Sequence, residues 1–173
     1  MWLPSPPVKL YVYLLHQDDP GKCTSSKLVR FNWATPVSRS RIPPRAIILN
    51  PYGEHTLTPG DKALAKRFGI VSVDCSWEIA ENEFKRRIRG VHRRLPSLLP
   101  GNPVSYGIIS RLSSLEAFAA ALYIISWADW AERLLRLYKW GKTFLTLNAD
   151  LLEAYRLCTS EEEVSRTESE FFG

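Results

Sequence analysis

The stretch GIVSVDCSWE, residues 69–78, decides the predicted fold. Its first part is a short, mostly apolar run of β-branched residues, which is typical of a strand buried on both faces of a parallel sheet. The run ends at Asp74, and Ser76 follows as a potential N-cap for a helix that begins at Trp77. A buried strand that leads directly into a helix is the repeating unit of an α/β protein.

Two further segments in the first half of the chain carry the same signal. Residues 8–15 (VKLYVYLL) and 46–50 (AIILN) are short runs of apolar and aromatic residues. After about residue 95 the signals are helical, and Ser113 with Glu116 forms a capping box before the apolar run SLEAFAAALYIISW. Gly141 is predicted to end the following helix, and Asn148 to cap the next one. We therefore predict an α/β domain over residues 1–95, with a parallel sheet, and an all-α domain over residues 96–173.

Polar loops follow the three predicted strands. They are HQDDPGKCTSS (residues 16–26), NPYGEHT (50–56) and DCSW (74–77). Because ligands of parallel sheets bind beyond the carboxyl ends of the strands, these loops should line one cleft, with Asp74 at its floor and Trp77 at its edge. The alternative is structural: Asp74 and Ser76 would cap the helix, and Trp77 would belong to the core.

A basic segment follows the predicted strand end. Residues 77–95 place apolar side chains at steps of three and four, which predicts one helix with an apolar stripe. Its other face would carry Lys85, Arg86, Arg87, Arg89, Arg93 and Arg94. In a chain of net charge +5, this face predicts binding to nucleic acid or to an acidic membrane surface, and a solvated helix face is the alternative.

The sequence lacks the motifs that are typical of several classes of function. The chain has neither GxGxxG nor GxxxxGK[ST], no apolar run long enough to span a membrane and no secretory signal, so we expect a cytoplasmic protein. Its three cysteines are far apart, which argues against a zinc site. A metal cluster could be drawn from His16, Asp18, Asp19, Glu54 and Asp61. Acids in such turns usually accept local backbone hydrogen bonds, so we expect no metal.

Four sequence blocks carry a resemblance to a known family. They are HQDDPGKCTSSKL; ILNPYGEHTLTPGD with GIVSVDCSWE; RRLPSLLPGNPVSYG leading into LSSLEAFAAALYI; and KWGKTFLTLN. In this order and over roughly residues 9–158, the chain resembles the small-subunit ribosomal RNA aminocarboxypropyltransferases of archaea and eukaryotes. Ser105 stands where that family usually has Asn, and Ser114 where it often has Cys.

The resemblance implies a fold related to the knotted SPOUT-type RNA methyltransferases, with a deep trefoil knot and the helical half threaded through the first. It implies S-adenosylmethionine as donor. It also implies transfer of its 3-amino-3-carboxypropyl group to N3 of an N1-methylated pseudouridine in small-subunit rRNA, during ribosome biogenesis. The enzyme would act as a monomer, without a metal or a membrane.

The family's layout also assigns roles to residues of this chain. Asp74 would take or orient the proton of the acceptor nitrogen. Trp77 would cover the methyl group and the cationic sulfonium. The donor would be contacted further by Thr24, Ser25, Leu49, Pro51, Leu98, Leu99, Leu112 and Leu115. A methyltransferase of the same knotted superfamily and a non-enzymatic rRNA-binding assembly factor are the alternative functions.

Overall fold

The computed structural model of the protein describes residues 5–15 and 24–173. Within these ranges the chain forms five strands and seven helices, with two short 3-10 turns at Arg39–Arg41 and Pro59–Asp61. The elements are β1 (Leu10–Leu14), α1 (Thr24–Arg30), β2 (Thr35–Val37), β3 (Ile47–Leu49), α2 (Lys62–Phe68), β4 (Ile70–Asp74), α3 (Trp77–Lys85), β5 (Val91–Arg93), α4 (Ser114–Ile124), α5 (Ala128–Leu135), α6 (Gly141–Arg156) and α7 (Glu161–Phe172).

The five strands form one parallel sheet in the order β2-β1-β4-β3-β5. β4, the strand of the GIVSVDCSWE stretch, is central and pairs with β1 along its whole length, from Leu10 opposite Ile70 to Leu14 opposite Asp74. The predictions of an α/β fold with a parallel sheet and of strands at β1, β3 and β4 are confirmed. The edge strands β2 and β5 have three residues each and were not predicted.

The main hydrophobic core lies on one face of the sheet. Leu10, Val12, Ile47 and Ile70 alternate onto this face and pack with the helical half of the chain. α4 crosses this core and is buried almost all round, as its apolar sequence predicted. Residues before and after position 95 therefore share one core.

A second, smaller cluster lies on the opposite face. Ile48 and Val71 point there and pack with Ile42, Ala46 and Ile88, and Phe84 of α3 lies against them. Because β3 and β4 are buried on both faces, their sequences are apolar throughout instead of alternating.

The prediction of one helix over residues 77–95 is wrong. α3 ends at Lys85, Arg86 is extended, and residues 91–93 form β5 beside β3. Gly90 has a φ of 149°, and a Cβ there would lie 2.5 Å from a side-chain carbon of Ile48, so this position needs glycine. The chain therefore leaves the helix and enters the sheet within six residues.

In the helical half, the capping box of Ser113 and Glu116 at the start of α4 is confirmed. Two other boundaries were predicted wrongly. Gly141 begins α6 instead of ending a helix, and Asn148 lies inside α6 instead of capping one. Of the helices in the described ranges, none is long and apolar enough to cross a membrane.

Candidate active site

A cleft of about 510 Å³ opens at the carboxyl ends of β3 and β4. This is the edge where ligands of parallel sheets bind. Segments from both halves of the chain line it, including residues 49–51, 72–78, 94–96, 102–105 and 110–114, together with Thr24, Ala80, Phe84, Ala117, Tyr138 and Trp140. The cleft thus lies between the sheet and the helical half.

Asp74 and Trp77 lie within one helical turn of each other on the wall of this cleft. Asp74 is the last residue of β4, and Trp77 is the first residue of α3. Both are partly exposed, and Trp77 belongs to neither hydrophobic cluster. The guanidinium carbon of Arg111 lies 5.9 Å from the Trp77 ring centroid. A carboxylate, an indole and a cation therefore share this wall.

Three elements are joined by hydroxyl groups at the cleft. The Ser72 hydroxyl of β4 donates to the hydroxyl of Ser114 at the start of α4, with an oxygen–oxygen distance of 3.0 Å. The Leu115 amide donates to the Thr24 hydroxyl of α1 at 3.4 Å. These contacts fix the start of α4 against the sheet and α1.

The loop that lines the helical side of the cleft is anchored by a buried carboxylate. Glu116 is fully buried and accepts from the Gly101 amide at 2.7 Å, from the Asn102 side chain, and from the amide and hydroxyl of Ser113. Asn102 in turn accepts from the Ser105 amide at 2.9 Å. One α4 side chain therefore positions two cleft-lining residues, Asn102 and Ser105.

The extended segment before this loop is fixed by α6. Asn148 exchanges two hydrogen bonds with the backbone of Leu99, at 2.8 and 2.7 Å, as a neighbouring strand would. Tyr155 donates to the Ser97 carbonyl at 2.8 Å, and burial raises the pKa of this hydroxyl well above its usual range, so it remains a donor. α6 thus substitutes for a strand along residues 97–99.

A histidine orients the amide at the end of β3. His92 Nε2 donates to the Ile88 carbonyl at 2.7 Å, so Nδ1 of the neutral ring accepts from the Asn50 side chain at 3.1 Å. The Asn50 oxygen accepts from the Tyr52 amide at 2.9 Å. Asn50 lines the cleft, and these contacts fix the turn that carries Pro51.

The structure brings together part of the predicted donor site. Thr24, Leu49, Pro51, Trp77 and Leu112 line the cleft with Asp74. The other predicted contacts, Ser25, Leu98, Leu99 and Leu115, are not among the residues that line the cleft. Leu98 and Leu115 are fully buried in the main core. The Ser25 side chain is also fully buried, and its hydroxyl has no hydrogen-bond partner among the described residues.

The predicted RNA-contacting residues separate into two groups. Lys85, Arg86, Arg87 and Arg89 are exposed around the end of α3 and the loop after it. Arg93 instead forms an ion pair with Asp61 at 3.2 Å, and Arg94 bonds to Glu168 and to the Thr56 hydroxyl. The single basic helix face was therefore a wrong prediction, because Arg93 and Arg94 tie β5 to the rest of the fold. Arg94 also lines the cleft.

Several cleft residues were not predicted from the sequence. They are Ser72, Arg111, Tyr138 and Trp140, whereas Asn50 belongs to the loop NPYGEHT that was predicted to line the cleft. Tyr138 and Trp140 stack with ring centroids 4.9 Å apart, and the Lys27 ammonium lies 4.1 Å from the Tyr138 ring centroid. Little in the sequence indicates this pair. Tyr138 and Trp140 are two positions apart, and side chains on one face of a helix are spaced by three or four positions.

Part of the alternative metal cluster lies outside the described residues, namely His16, Asp18 and Asp19. Asp61 has structural partners: it accepts from the Thr58 amide and pairs with Arg93. In the part of the chain that the structure describes, no group of three metal-ligating side chains lies close together.

The sequence and the structure of this chain are similar to those of known proteins. The family described as "Ribosome biogenesis protein, C-terminal" matches residues 47–172. A 16S rRNA aminocarboxypropyltransferase of Saccharolobus islandicus is 48% identical, covering 94% of this chain and 95% of that protein. The corresponding protein of Methanocaldococcus jannaschii is 42% identical over the same shares. A solved structure described as the SAM-dependent rRNA:acp-transferase Tsr3 from Vulcanisaeta distributa has a TM-score of 0.87 and 40% identity, with 96% of each chain covered.

A second family match concerns the start of the chain. Residues 8–41 match a family described as "Possible Fer4-like domain in RNase L inhibitor, RLI". This segment contains a single cysteine, Cys23, so it cannot supply the four thiolates that an iron–sulfur cluster requires. Its described residues form β1, α1 and β2, which are parts of the sheet and of the cleft wall.

Over nearly its whole length, and with the same fold as a solved member, this chain belongs to the family of 16S rRNA aminocarboxypropyltransferases.

Proposed function

We propose that this protein transfers the 3-amino-3-carboxypropyl group of S-adenosylmethionine to N3 of an N1-methylated pseudouridine in small-subunit rRNA. The observation that carries the proposal is the cleft at the end of β4, where Asp74 and Trp77 face one cavity in a chain of this family. The acceptor position and its N1 methylation rest on the resemblance of the sequence motifs.

The cleft has the size and lining that a nucleoside donor requires. Its volume of about 510 Å³ lies within the range of small-molecule sites. Leu49 and Pro51 on one side and Leu112 on the other offer apolar contact for an adenine ring. The hydroxyls of Thr24 and Ser114 offer polar contacts for the amino-acid part.

The donor supplies a sulfonium whose three attached carbons are all open to attack, so the orientation of the donor decides which group is transferred. In the proposed reaction the bond from sulfur to the γ-carbon breaks and a bond from N3 to that carbon forms. The sulfur keeps the electron pair and leaves as neutral methylthioadenosine. The N3 proton must go to a base.

Two residues of this chain fit the demands of that reaction. Trp77 offers an apolar, π-rich face, which favours a cationic sulfonium and keeps the methyl group away from the acceptor. Asp74 offers a carboxylate on the same wall, which can take or orient the N3 proton. Their shared position on the cleft wall supports both roles.

The first prediction concerns Trp77. Trp77→Ala should weaken S-adenosylmethionine binding about 5- to 150-fold, because it removes buried area and the cation–π contact. Calorimetric titration measures this affinity, and Trp77→Phe should restore part of it. An unchanged affinity with a lower melting temperature would instead make Trp77 a core residue.

Exposed cations beside the cleft are the proposed contacts for rRNA phosphates. Lys85 and Arg86 have acidic partners at 3.7 and 3.8 Å, but exposed pairs of this kind are weak and can exchange for phosphates. Arg87 and Arg89 are exposed on the loop after α3. This loop leads into β5, which ends at the cleft.

The second prediction tests these cations. The double variant Arg86→Glu/Arg89→Glu should weaken rRNA binding and reduce the salt slope of log K by about 0.7 for each lost contact with single-stranded phosphate. Donor affinity should not change. Arg166→Glu on α7, also exposed, is the matched control and should bind rRNA as the wild type does. If the double variant behaves like this control at every salt concentration, phosphate binding lies elsewhere.

One product assay tests the proposed function. The protein is incubated with S-adenosylmethionine and small-subunit rRNA from cells that lack it, and the nucleoside product is identified by mass spectrometry. We expect methylthioadenosine. S-Adenosylhomocysteine would indicate the alternative methyltransferase, and the absence of donor binding would indicate the non-enzymatic assembly factor.

We also propose that the fold is related to the SPOUT-type methyltransferases, with the α-helical residues 96–173 threaded through the α/β residues 1–95 in a deep knot. The family resemblance supports this topology. The same resemblance supports a monomer that acts in the cytoplasm on the small subunit during ribosome biogenesis.

A further inference from the structure

The loop at the mouth of the cleft carries an unusual apolar patch. In this loop, which we call the rim loop (residues 103–111), Val104 is 92% exposed, Tyr106 63%, Ile108 45% and Ile109 52%. Single exposed apolar side chains are common on protein surfaces, but here four large ones lie within six residues. Patches of this kind mark interaction sites.

The rim loop is anchored at both ends, so the patch has a defined shape. At its start, the Glu116–Asn102 network ends on the Ser105 amide. At its end, the Ser110 amide donates to the Leu98 carbonyl at 2.7 Å, and the Ile108 amide donates to the Ser105 carbonyl at 3.0 Å. The exposed side chains therefore extend from a loop whose backbone is fixed.

The patch is continuous with the cleft. Pro103, Val104 and Ser105 line the cleft from the start of the loop, and Ser110 and Arg111 line it from the end. Tyr106 and Ile108 lie between these two groups of cleft residues in sequence, and both are exposed. The rim loop therefore borders the same cleft as Asp74 and Trp77.

The surroundings indicate which partner fits this patch. Arg111 lines the adjoining cleft, and Arg87 and Arg89 are exposed on the loop after α3, in a chain of net charge +5. A partner that combines flat apolar faces with negative charge is an unpaired stretch of RNA, whose bases stack on aromatic side chains while its phosphates contact cations. A large apolar protein partner would not require these cations.

We propose that the rim loop is the platform for the acceptor strand, on which Tyr106 stacks against an unpaired base of the rRNA beside the target nucleotide. This inference rests on the proposed function and adds to it a specific contact for the acceptor. Tyr106 is suited to this role because its ring is exposed on a fixed backbone, so stacking costs little conformational entropy. Val104 and Ile109, on either side of Tyr106 in sequence, add further exposed apolar surface to the loop.

Substitution of Tyr106 tests the platform. Tyr106→Ala should weaken binding of 16S rRNA, purified from cells that lack this protein, by about 5- to 150-fold, the range for loss of one stacked base. The salt slope should stay unchanged, because no charge is removed. Tyr106→Phe should bind as the wild type does. Phe171→Ala on α7, with a ring 49% exposed and outside the cleft lining, is the matched control and should have no effect.

Filter binding at several salt concentrations gives the RNA affinities, and calorimetry gives the affinity for S-adenosylmethionine. Unchanged RNA binding by Tyr106→Ala would overturn the inference. A parallel loss of donor affinity would also overturn it and would assign Tyr106 to the donor pocket. A wild-type dimer that becomes a monomer in Tyr106→Ala, measured by sedimentation, would assign the patch to self-association and overturn it as well. A wild type that binds RNA through Tyr106 but yields no methylthioadenosine would refute the proposed function alone.

Discussion

Asp74→Asn is expected to bind S-adenosylmethionine normally and to lose about 10²- to 10⁴-fold in the rate of transfer, the usual cost of removing a general base. The amide has nearly the shape of the carboxylate, so the wall of the cleft and the end of β4 should be preserved. Only the capacity to take the N3 proton is lost. Single-turnover assays with saturating donor and rRNA measure the rate directly.

A matched aspartate serves as the control for this substitution. Asp150 is exposed on α6 and lies outside the cleft lining, so Asp150→Asn removes the same charge from a distant position. This variant should turn over as the wild type does. Near-normal turnover by Asp74→Asn would remove Asp74 from the mechanism, and a loss of donor affinity without a slower chemical step would make it a binding residue.

The sequence was informative where one local pattern had one physical solution. The short apolar runs at β3 and β4 are too short for helices and too apolar for exposed strands, so they could only be buried strands. Because parallel strands end at one edge, the pattern of β4 predicted Asp74 at a cleft, with helix capping as the alternative. The capping box of Ser113 and Glu116 likewise marks the start of α4 without any tertiary information.

The sequence misled where one pattern had two solutions. Ile88 and Val91 fit the stripe of a longer α3, but the pairing of β5 with β3 supplies hydrogen bonds that extended residues can use. Gly90, with a φ of 149° just before β5, was the local sign of this change. A three-residue edge strand has too few residues to show any period of its own.

The sequence could not predict which leucine side chains of the donor pocket face the cleft. Leu98 and Leu112 belong to irregular segments of similar composition, yet Leu98 is in the core and Leu112 lines the cleft. The difference comes from Asn148 and Tyr155 of α6, about 50 residues away in sequence, which fix the backbone of residues 97–99. No spacing rule links such distant partners.

Glu116 has a second role that a capping box does not predict. Beyond the cap, its carboxylate accepts from the Gly101 amide and the Asn102 side chain, in a position without solvent exposure. Gly101 also packs so closely on α6 that a Cβ would lie 2.6 Å from the Phe144 nitrogen. The rim loop is therefore attached to α4 and α6 through contacts that water cannot replace.

Glu116→Ala is accordingly expected to destabilise the protein by about 2–6 kcal/mol, because two buried donors lose their acceptor at about 1–3 kcal/mol each. For a chain of this size the melting temperature should fall by roughly 5–20 °C. Donor affinity should fall as well, since Asn102 and Ser105 line the cleft. Thermal unfolding followed by circular dichroism and calorimetric titration of S-adenosylmethionine measure the two effects.

Two further variants keep this prediction testable if Glu116→Ala does not fold. Glu116→Gln should show a smaller loss of both stability and donor affinity than Glu116→Ala. Its side-chain oxygen still accepts from one group of donors, and only its NH2 group, which replaces the second oxygen, faces a donor. Glu162→Ala on α7, at an exposed position, should be neutral. An unchanged melting temperature in Glu116→Gln, with unchanged donor affinity, would show that the buried network does not position the rim loop. Asn148 and Tyr155 would then be the remaining described contacts that fix the segment before the rim loop.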